Sequence, residues 1–122
     1  MTFRKKKLKS GKDVLLGKDA KSNDELMKKF EGKENVIFHT VAPGSPFCVI
    51  DDLHPRIGDV SASGAICASY SQDWRDHHSD VMMNKFTGKD ISKQKGMKIG
   101  TWKVNKAKKI KIKKRKIENV NK

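Results

Sequence analysis

Positive charge is gathered at the C-terminal end of this chain of 122 residues. Residues 93–122 contain 13 lysines and arginines but only one acidic residue, Glu118, whereas residues 1–92 contain 15 basic and 13 acidic residues. A segment with so many positive charges stays hydrated and contributes little to a core. We therefore expect part of this segment to be a tail attached to a nearly neutral domain. Such a segment attracts polyanions, because each phosphate that it neutralises releases condensed counterions.

This basic segment could bind a nucleic acid, bind a membrane surface, or have no binding partner. A solvated tail would aid solubility without specific binding, and an interfacial helix needs a bulky apolar face that the basic run lacks. The longest apolar stretches, such as 47–50, are too short to span a bilayer, and no apolar segment of a secretory signal follows Arg4. We therefore expect a nucleic-acid partner, no membrane association and a cytoplasmic location.

The length and the cysteine content predict one domain without disulfide bonds. A chain of this size can bury a modest core, although 34% of its residues are charged. Cys48 and Cys67 stand in apolar surroundings without a partner motif. Buried free thiols in a reducing compartment are the expected state, and a disulfide is not expected.

The first third of the chain predicts a β-hairpin followed by a short helix. Strands are expected at 3–8 and 14–16, joined by a turn at 10–12 that contains Gly11. Ser22 and Glu25 have the S-x-x-E spacing of a capping box, which predicts a helix capped by Ser22.

The remainder predicts more strands and a second helix. A helix is predicted from about Asp59 to Trp74, because Val60, Gly64, Cys67, Ser71 and Trp74 fall at helical spacing. Apolar and basic residues alternate strictly from Lys109 to Lys113, as in a strand with one buried face and an outward row of lysines. The other predicted strands are 36–39, 47–50, 81–86 and 102–104. This order predicts one compact α+β domain at 1–113, with a mostly antiparallel sheet and two helices, and a flexible, disordered basic tail at 114–122.

Candidate catalytic and metal-binding residues are few. His39 and Ser45 lie six residues apart with Asp51 downstream, but Ser45 stands between two prolines, outside any nucleophile elbow. The run Asp76-His77-His78-Ser79-Asp80 holds four potential metal ligands, yet metal sites usually draw ligands from several elements, and a polar loop explains the run as well. No Walker-type or dinucleotide glycine pattern is present, so no cofactor is expected.

Lysines stand beside glycines in two segments, 11–18 and 93–100. Glycine lets backbone N–H groups approach a phosphate, and lysine supplies the charge. The same glycines can simply form hairpin turns, and the two interpretations are compatible. Of the two tryptophans, Trp74 is expected in the core, and Trp102 could be in the core or stack on a base.

Several of these motifs, in their order along the chain, resemble the NFACT-R domain. The resemblance covers about residues 3–113, nearly the whole chain. The motifs that carry it are Ser10-Gly11, Val14, Gly17-Lys18-Asp19-Ala20, Asn23-Asp24-Glu25-Leu26, Ile37-Phe38-His39, Pro43-Gly44-Ser45, Ala65, Ala68-Ser69-Tyr70-Ser71, Trp74 and Lys95-Gly96-Met97-Lys98-Ile99-Gly100.

The resemblance implies an RNA-binding domain like that of the ribosome quality-control factors of the NEMF and fibronectin-binding-protein-A group, where it helps to hold tRNA on the large ribosomal subunit. This chain resembles small proteins built on that domain alone, so the tailing activity of the full-length factors is not implied. It departs from the family pattern at Lys18-Asp19, where Arg-Asn is usual, and at Pro46, where His is frequent. Replacing Arg by Lys loses a planar fork for bidentate phosphate contact.

We therefore expect a non-catalytic RNA-binding module for tRNA or rRNA, associated with translation, with the large ribosomal subunit as a candidate partner. Glycine-lysine turns would recognise the sugar-phosphate shape, and the basic C-terminal segment would add salt-sensitive affinity. The alternatives are a non-specific binder of DNA or RNA, and a metal-dependent enzyme acting on RNA through His39, Ser45 and the loop at 76–80. The expected RNA-binding residues are Lys12, Lys18, Lys21, Asn23, His39, Lys95, Lys98, Lys111, Lys113, Lys114 and Arg115.

Overall fold

The computed structural model describes residues 3–120. The strands are β1 (Arg4–Lys7), β2 (Asp13–Leu16), β3 (Val36–Thr40), β4 (Cys48–Ile50), β5 (Val81–Thr87), β6 (Ile91–Ser92), β7 (Lys103–Val104) and β8 (Lys108–Ile112). The helices are α1 (Ala20–Phe30), α2 (Ile57–Ser69), α3 (Gln72–His77) and α4 (Lys114–Glu118). A single 3-10 turn, Gly88–Asp90, connects β5 to β6.

Six strands form one antiparallel sheet in the order β1-β2-β4-β3-β5-β8, and β6 pairs with β7 separately. The prediction of an α+β fold with a mostly antiparallel sheet is confirmed. Both edge strands are rich in lysine, which discourages edge-to-edge pairing with another sheet. No helix within residues 3–120 has the length and apolar character needed to cross a membrane.

The sheet carries an apolar cluster on each face. On one side, here called the α1 face, Leu15, Ile37, Val49 and Phe86 pack with apolar residues of α1 and with Trp102. On the other side, here called the α2 face, alternate residues of the same strands pack with α2, α3 and α4. Because successive strand residues point to opposite faces, every sheet position can be assigned to one side or the other.

The predicted helix boundaries are wrong in two places. The cap of α1 is Asp19 rather than Ser22: the Ser22 N–H donates to Asp19 Oδ1 at 2.8 Å, and Ser22 Oγ accepts from the Asp19 N–H at 3.0 Å. The predicted helix at 59–74 is split into α2 and α3, because Ser71 Oγ accepts from the Trp74 N–H and starts a new helix. The described residues therefore contain four helices rather than the two predicted.

The two cysteines form a disulfide, so the prediction of free thiols is wrong. Cys48 in β4 and Cys67 in α2 are fully buried, with Cα atoms 5.9 Å apart, a separation within the usual range for such a bond. The two cysteines meet because α2 crosses β4 on the α2 face. Their separation of 19 residues in the sequence does not indicate this contact.

The prediction of a disordered tail from Lys114 onward is wrong for the described part of that segment. The alternation in β8 is confirmed, with Ile112 buried and the lysines exposed, but the chain then continues directly into α4. Ile117 is only 2% exposed and joins the apolar cluster of the α2 face, which holds α4 in place. Residues 121–122 of the predicted tail lie outside the described residues.

Candidate nucleic-acid interface

A cavity of about 540 Å³ opens at the end of the sheet where β2 leads into α1. Its walls come from six further parts of the chain: the start of β1, the start of α1, the β3–β4 connection, the α2–α3 connection, α3 and the segment at 99–101. The cavity brings together residues that lie far apart in the sequence: Gly17-Lys18, Asn23, Gly44-Ser45 and Gly100.

The cavity wall is positively charged. Arg4, Lys18 and Arg75 line it, and Asp19 is the single acidic residue among the lining residues. The Asp19 carboxylate is engaged by the Ser22 backbone N–H and side chain, hydrogen bonds that lower the pKa of Asp19 below its ordinary value. Asp19 therefore stays ionised and caps the start of α1, and the net positive charge of the cavity comes from Arg4, Lys18 and Arg75.

Tyr70 fixes the two arginines at the cavity. The Arg4 guanidinium carbon lies 4.9 Å from the centre of the Tyr70 ring, and Arg75 Nη1 donates to the Tyr70 carbonyl at 3.1 Å. Arg75 Nη2 also donates to Gln72 Oε1 at 2.9 Å. Two guanidinium groups held in this way keep donors for an anion without a large loss of side-chain entropy on binding.

The turn from β2 into α1 is packed so closely that a side chain at position 17 would displace the Asn23 side chain. A Cβ on Gly17 would lie 1.8 Å from Asn23 Oδ1. That oxygen accepts from the Phe47 N–H at 3.1 Å, while the Gly17 N–H donates to the Phe47 carbonyl at 3.1 Å. Asn23 is thus positioned by its oxygen, and its amide nitrogen has no partner among residues 3–120.

Asp24 anchors the opposite wall of the cavity. Its Oδ1 accepts from the Gly100 N–H at 2.7 Å, from Trp102 Nε1 at 3.0 Å and from Lys93 Nζ at 3.1 Å. Burial alone would raise the pKa of Asp24, but the hydrogen bonds from Gly100, Lys93 and Trp102 lower it below the ordinary value. The carboxylate therefore stays ionised and holds the glycine-lysine segment at 93–101 against α1.

Trp102 is a core residue, which resolves the alternative left open by the sequence. It is 7% exposed, packs on the α1 face and donates to Asp24. Gly100 lies beside the start of α1 with φ +83°, and a Cβ there would be 2.8 Å from the Ala20 backbone. No local sequence signal identifies the role of Asp24, because its partners lie 69 to 78 residues away.

The structure brings some of the predicted site residues together at this cavity. Lys18 and Asn23 line it, and Lys21 is exposed in the first turn of α1. Lys95 and Lys98 are exposed on the segment that Asp24 anchors, and Lys98 directly precedes Ile99 of the cavity wall.

Lys12 lies elsewhere, at the hairpin end of β2. Its Nζ is 3.1 Å from Asp59 Oδ2, and Asp59 also accepts from Ser10 Oγ at 2.6 Å and from the Arg56 N–H at 3.0 Å. The Ser10 hydroxyl, the Arg56 N–H and Lys12 together lower the pKa of Asp59 to about 2. The Lys12 ammonium is occupied by this carboxylate.

His39 adjoins the cavity without lining it. Its ring stacks on Phe47 with centroids 4.4 Å apart, and the next residue, Thr40, donates its N–H to Ser45 Oγ at 3.0 Å. Burial lowers the pKa of His39, against the opposing effect of hydrogen bonds with the backbone of Ser45 and Thr40. The imidazole is therefore neutral at pH 7.

The four basic residues predicted at the C-terminal end lie away from the cavity. Lys111 is exposed in β8, the edge strand opposite β1, while Lys113, Lys114 and Arg115 are exposed at the start of α4. The Lys114 N–H donates to Asp80 Oδ1 at 2.8 Å, which fixes the turn into α4. These cations form a separate surface at the far edge of the sheet.

The geometry lends no support to the metal-dependent alternative. Within residues 3–120, no three His, Cys, Asp or Glu side chains converge in a manner suited to a metal ion. In the loop at 76–80, His77 pairs with Asp73 at 2.9 Å, a contact that raises the pKa of His77. His78 instead ends α3 in a left-handed conformation with φ 47°, and its ring lies tilted against Trp74 with centroids 4.7 Å apart. Trp74 is partly buried on the α2 face.

Comparisons with known proteins point to one family. A family model described as "NFACT protein RNA binding domain" matches residues 2–106. The archaeal Rqc2 homolog aRqcH of Methanocaldococcus jannaschii is 30% identical over 64 residues, which are 51% of this chain and 10% of that protein. The matched part of this chain therefore corresponds to about a tenth of the length of that relative.

The fold is also similar to a solved structure, the C-terminal part of the fibronectin/fibrinogen-binding protein from Streptococcus suis. The two superpose with a TM-score of 0.82 at 24% sequence identity. The match covers 97% of this chain and 48% of that one, and at this identity it demonstrates a shared fold.

Proposed function

Since this chain belongs to the NFACT RNA-binding domain family, we propose that it binds structured RNA, tRNA or rRNA, through the cavity between β2 and α1. The observation that carries the proposal is the meeting of Arg4, Lys18 and Arg75 in one cavity with the start of α1. Three cations against one engaged carboxylate favour an anionic ligand, and in RNA that ligand is the phosphate backbone.

In the proposed mode, the two arginines and Lys18 contact phosphate oxygens, and the Asn23 amide donates to a phosphate or a ribose 2′-OH. Backbone and 2′-OH contacts follow the shape of an A-form helix and carry little sequence information. No step requires bond breaking, so the proposed module is non-catalytic.

A ribosomal setting for this RNA is a further part of the proposal. It is supported by the similarity of about half of this chain to the archaeal Rqc2 homolog. A large ribosomal subunit would supply rRNA and tRNA together. The cytoplasmic location remains a prediction, and the Cys48–Cys67 disulfide removes one of its arguments, the expectation of free thiols.

The basic surface of β8 and α4 adds salt-sensitive affinity in this proposal. Truncation before β8 is not a suitable test, because it would remove a sheet strand together with the buried Ile112 and Ile117. Charge substitutions at exposed lysines of the full chain test the same idea while the core stays intact.

The proposal is tested by measuring the affinity of the full chain for tRNA, rRNA fragments and duplex DNA across a salt series. We expect a preference for structured RNA over DNA of matched length that persists at near-physiological salt. Equal affinity for every polyanion, falling steeply and in parallel with salt, would instead support the alternative of a non-specific nucleic-acid binder.

A further inference from the structure

Part of the α1 face of the sheet is exposed where β3 leads into the β3–β4 connection and β5 begins. The register pairs His39 of β3 with Asn84 of β5, and Asn84 with Lys109 of β8. In the adjacent row, Met82 of β5 pairs with Lys111 of β8, and the Val41 N–H donates to the Met82 carbonyl at 3.0 Å. We call this surface the open sheet face; it consists of Val41, Met82, His39, Asn84, Lys109 and Lys111.

The assignment of these residues to one face follows from their neighbours. Ile37 and Phe86 are buried on the α1 face, and His39 and Asn84 are two positions along the same strands. Ile112 is buried on the α2 face, so Lys111 and Lys109 point to the opposite side.

The open sheet face has an apolar centre and a cationic border. Val41 is 45% exposed and Met82 is 38% exposed, two of the five large hydrophobic side chains exposed within residues 3–120. His39 and Asn84 supply neutral hydrogen-bonding groups beside them, and Lys109 and Lys111 are exposed at the sheet edge.

A single RNA strand matches this arrangement better than a duplex does. A duplex turns its phosphates outward and hides the base faces, so it would leave Val41 and Met82 without apolar partners. Unpaired bases present flat apolar faces and polar edges, and their phosphates can follow a row of cations at the side.

Resting on the proposed function, we infer that the open sheet face binds an unpaired segment of the same RNA that the cavity holds. Bases lie over Val41, Met82 and the His39 ring, the Asn84 amide contacts a base edge, and Lys109 and Lys111 contact phosphates. The two surfaces adjoin at His39, since the next residue, Thr40, donates its N–H to Ser45 Oγ at 3.0 Å and Ser45 lies in the cavity wall.

Two neighbouring lysines of β8 provide a matched test. Lys109 pairs with Asn84 on the open sheet face, whereas Lys108 pairs with Lys85 on the α2 face, and both are exposed. Lys109→Glu and Lys108→Glu therefore make the same charge change on opposite faces of one strand. Affinity is measured for the full chain with a short unstructured oligouridine RNA and with tRNA.

We expect Lys109→Glu to weaken oligouridine binding roughly tenfold and Lys108→Glu to weaken it no more than about threefold. Met82→Ser, which changes no charge, should weaken it about threefold. In a methyl NMR titration of the wild-type chain, the Met82 methyl resonance should shift with oligouridine.

Equal losses for the two lysine variants, or an unmoved Met82 methyl resonance, would overturn this inference. If tRNA binds through the cavity but oligouridine does not bind, the inference fails and the proposed function stands. If neither RNA binds, both fail together. A Met82 shift caused by a protein partner but not by oligouridine would reassign the surface to protein contact.

Discussion

The two ends of strand β2 carry the same kind of sequence and form different surfaces. Lys12 follows Gly11 at one end, and Lys18 follows Gly17 at the other. Lys12 is bound to the buried Asp59, 47 residues away in the chain. Lys18 is exposed on the wall of a cavity that it shares with two arginines.

The difference shows that a lysine beside a glycine is available to a ligand only when no carboxylate occupies it. At the hairpin end Lys12 stabilises the fold by pairing with Asp59. At the other end of β2 the fold leaves Lys18 exposed in the cavity wall. We therefore expect substitutions at the two ends to separate stability from RNA binding.

The largest effect should come from Asp24, which does not line the cavity but holds the segment at 99–101 in its wall. Asp24→Ala leaves Lys93, Trp102 and the Gly100 N–H without their shared acceptor, and it should lower the free energy of unfolding by about 2–4 kcal/mol. The segment at 99–101 would detach, and RNA affinity at a temperature where the variant stays folded should fall as well. Urea unfolding and RNA binding measure the two effects.

Glu31→Ala is the control for this change, since Glu31 is an exposed acid at the C-terminal end of α1. It should alter neither quantity. Unchanged RNA affinity in a folded Asp24→Ala variant would contradict the assignment of the cavity as the binding site.

The two glycines next to β2 provide the second comparison. Gly17→Ala forces a Cβ into Asn23 and should cost about 1–3 kcal/mol of stability and weaken RNA binding. Gly11→Ala has open space around it but a φ of +92°, so it should cost about 1 kcal/mol and leave RNA binding unchanged. If both variants lost RNA affinity in proportion to their stability, the two ends of β2 would not differ in function.

The two lysines themselves should show the separation with less loss of stability. Lys18→Ala should weaken RNA binding a few-fold and reduce the slope of log K against log salt by about 1, with little change in the urea midpoint. Lys12→Ala should lower the urea midpoint, because Asp59 loses its cation, and should leave the salt slope unchanged. The reverse pattern would place the RNA at the hairpin end.

The smallest effect is the pH dependence of the hairpin end. The pKa of Asp59 is about 2, below its ordinary 3.8, so its ionised form stabilises the folded state above that ordinary value. This contribution should be lost as the pH falls from about 4 to about 2. Asp59→Asn should flatten that part of the urea-midpoint profile, whereas RNA affinity at neutral pH should be unaffected. An unaltered profile would mean that Asp59 does not sustain the contact.

Local signals in the sequence predicted much of the fold. The hairpin of β1 and β2, the helix α1 and the alternation in β8 follow from turn residues, helix spacing and a period of two. The errors arose where distant residues decide local structure. Ile117 turns an expected tail into a helix by reaching the α2 face, and Cys67 meets Cys48 only because α2 crosses the sheet.

Several residues of the candidate site were predictable from the sequence, but their meeting in one cavity was not. Gly17-Lys18, Asn23 and Gly44-Ser45 were singled out by the family resemblance, and the structure places them around one cavity. Arg4 and Arg75 were missed, because nothing in their neighbouring residues distinguishes them from other surface arginines. The occupation of Lys12 by Asp59 is a long-range contact that no spacing rule predicts.

The most direct test of the cavity as the RNA-binding site is an amide NMR titration of the full chain with tRNA at near-physiological salt. The account predicts the largest resonance changes at Lys18, Asn23, Gly44 and Thr101, with Lys12 and Asp59 unchanged. Changes confined to the hairpin end or to the basic residues of β8 and α4, with an unperturbed cavity, would contradict it.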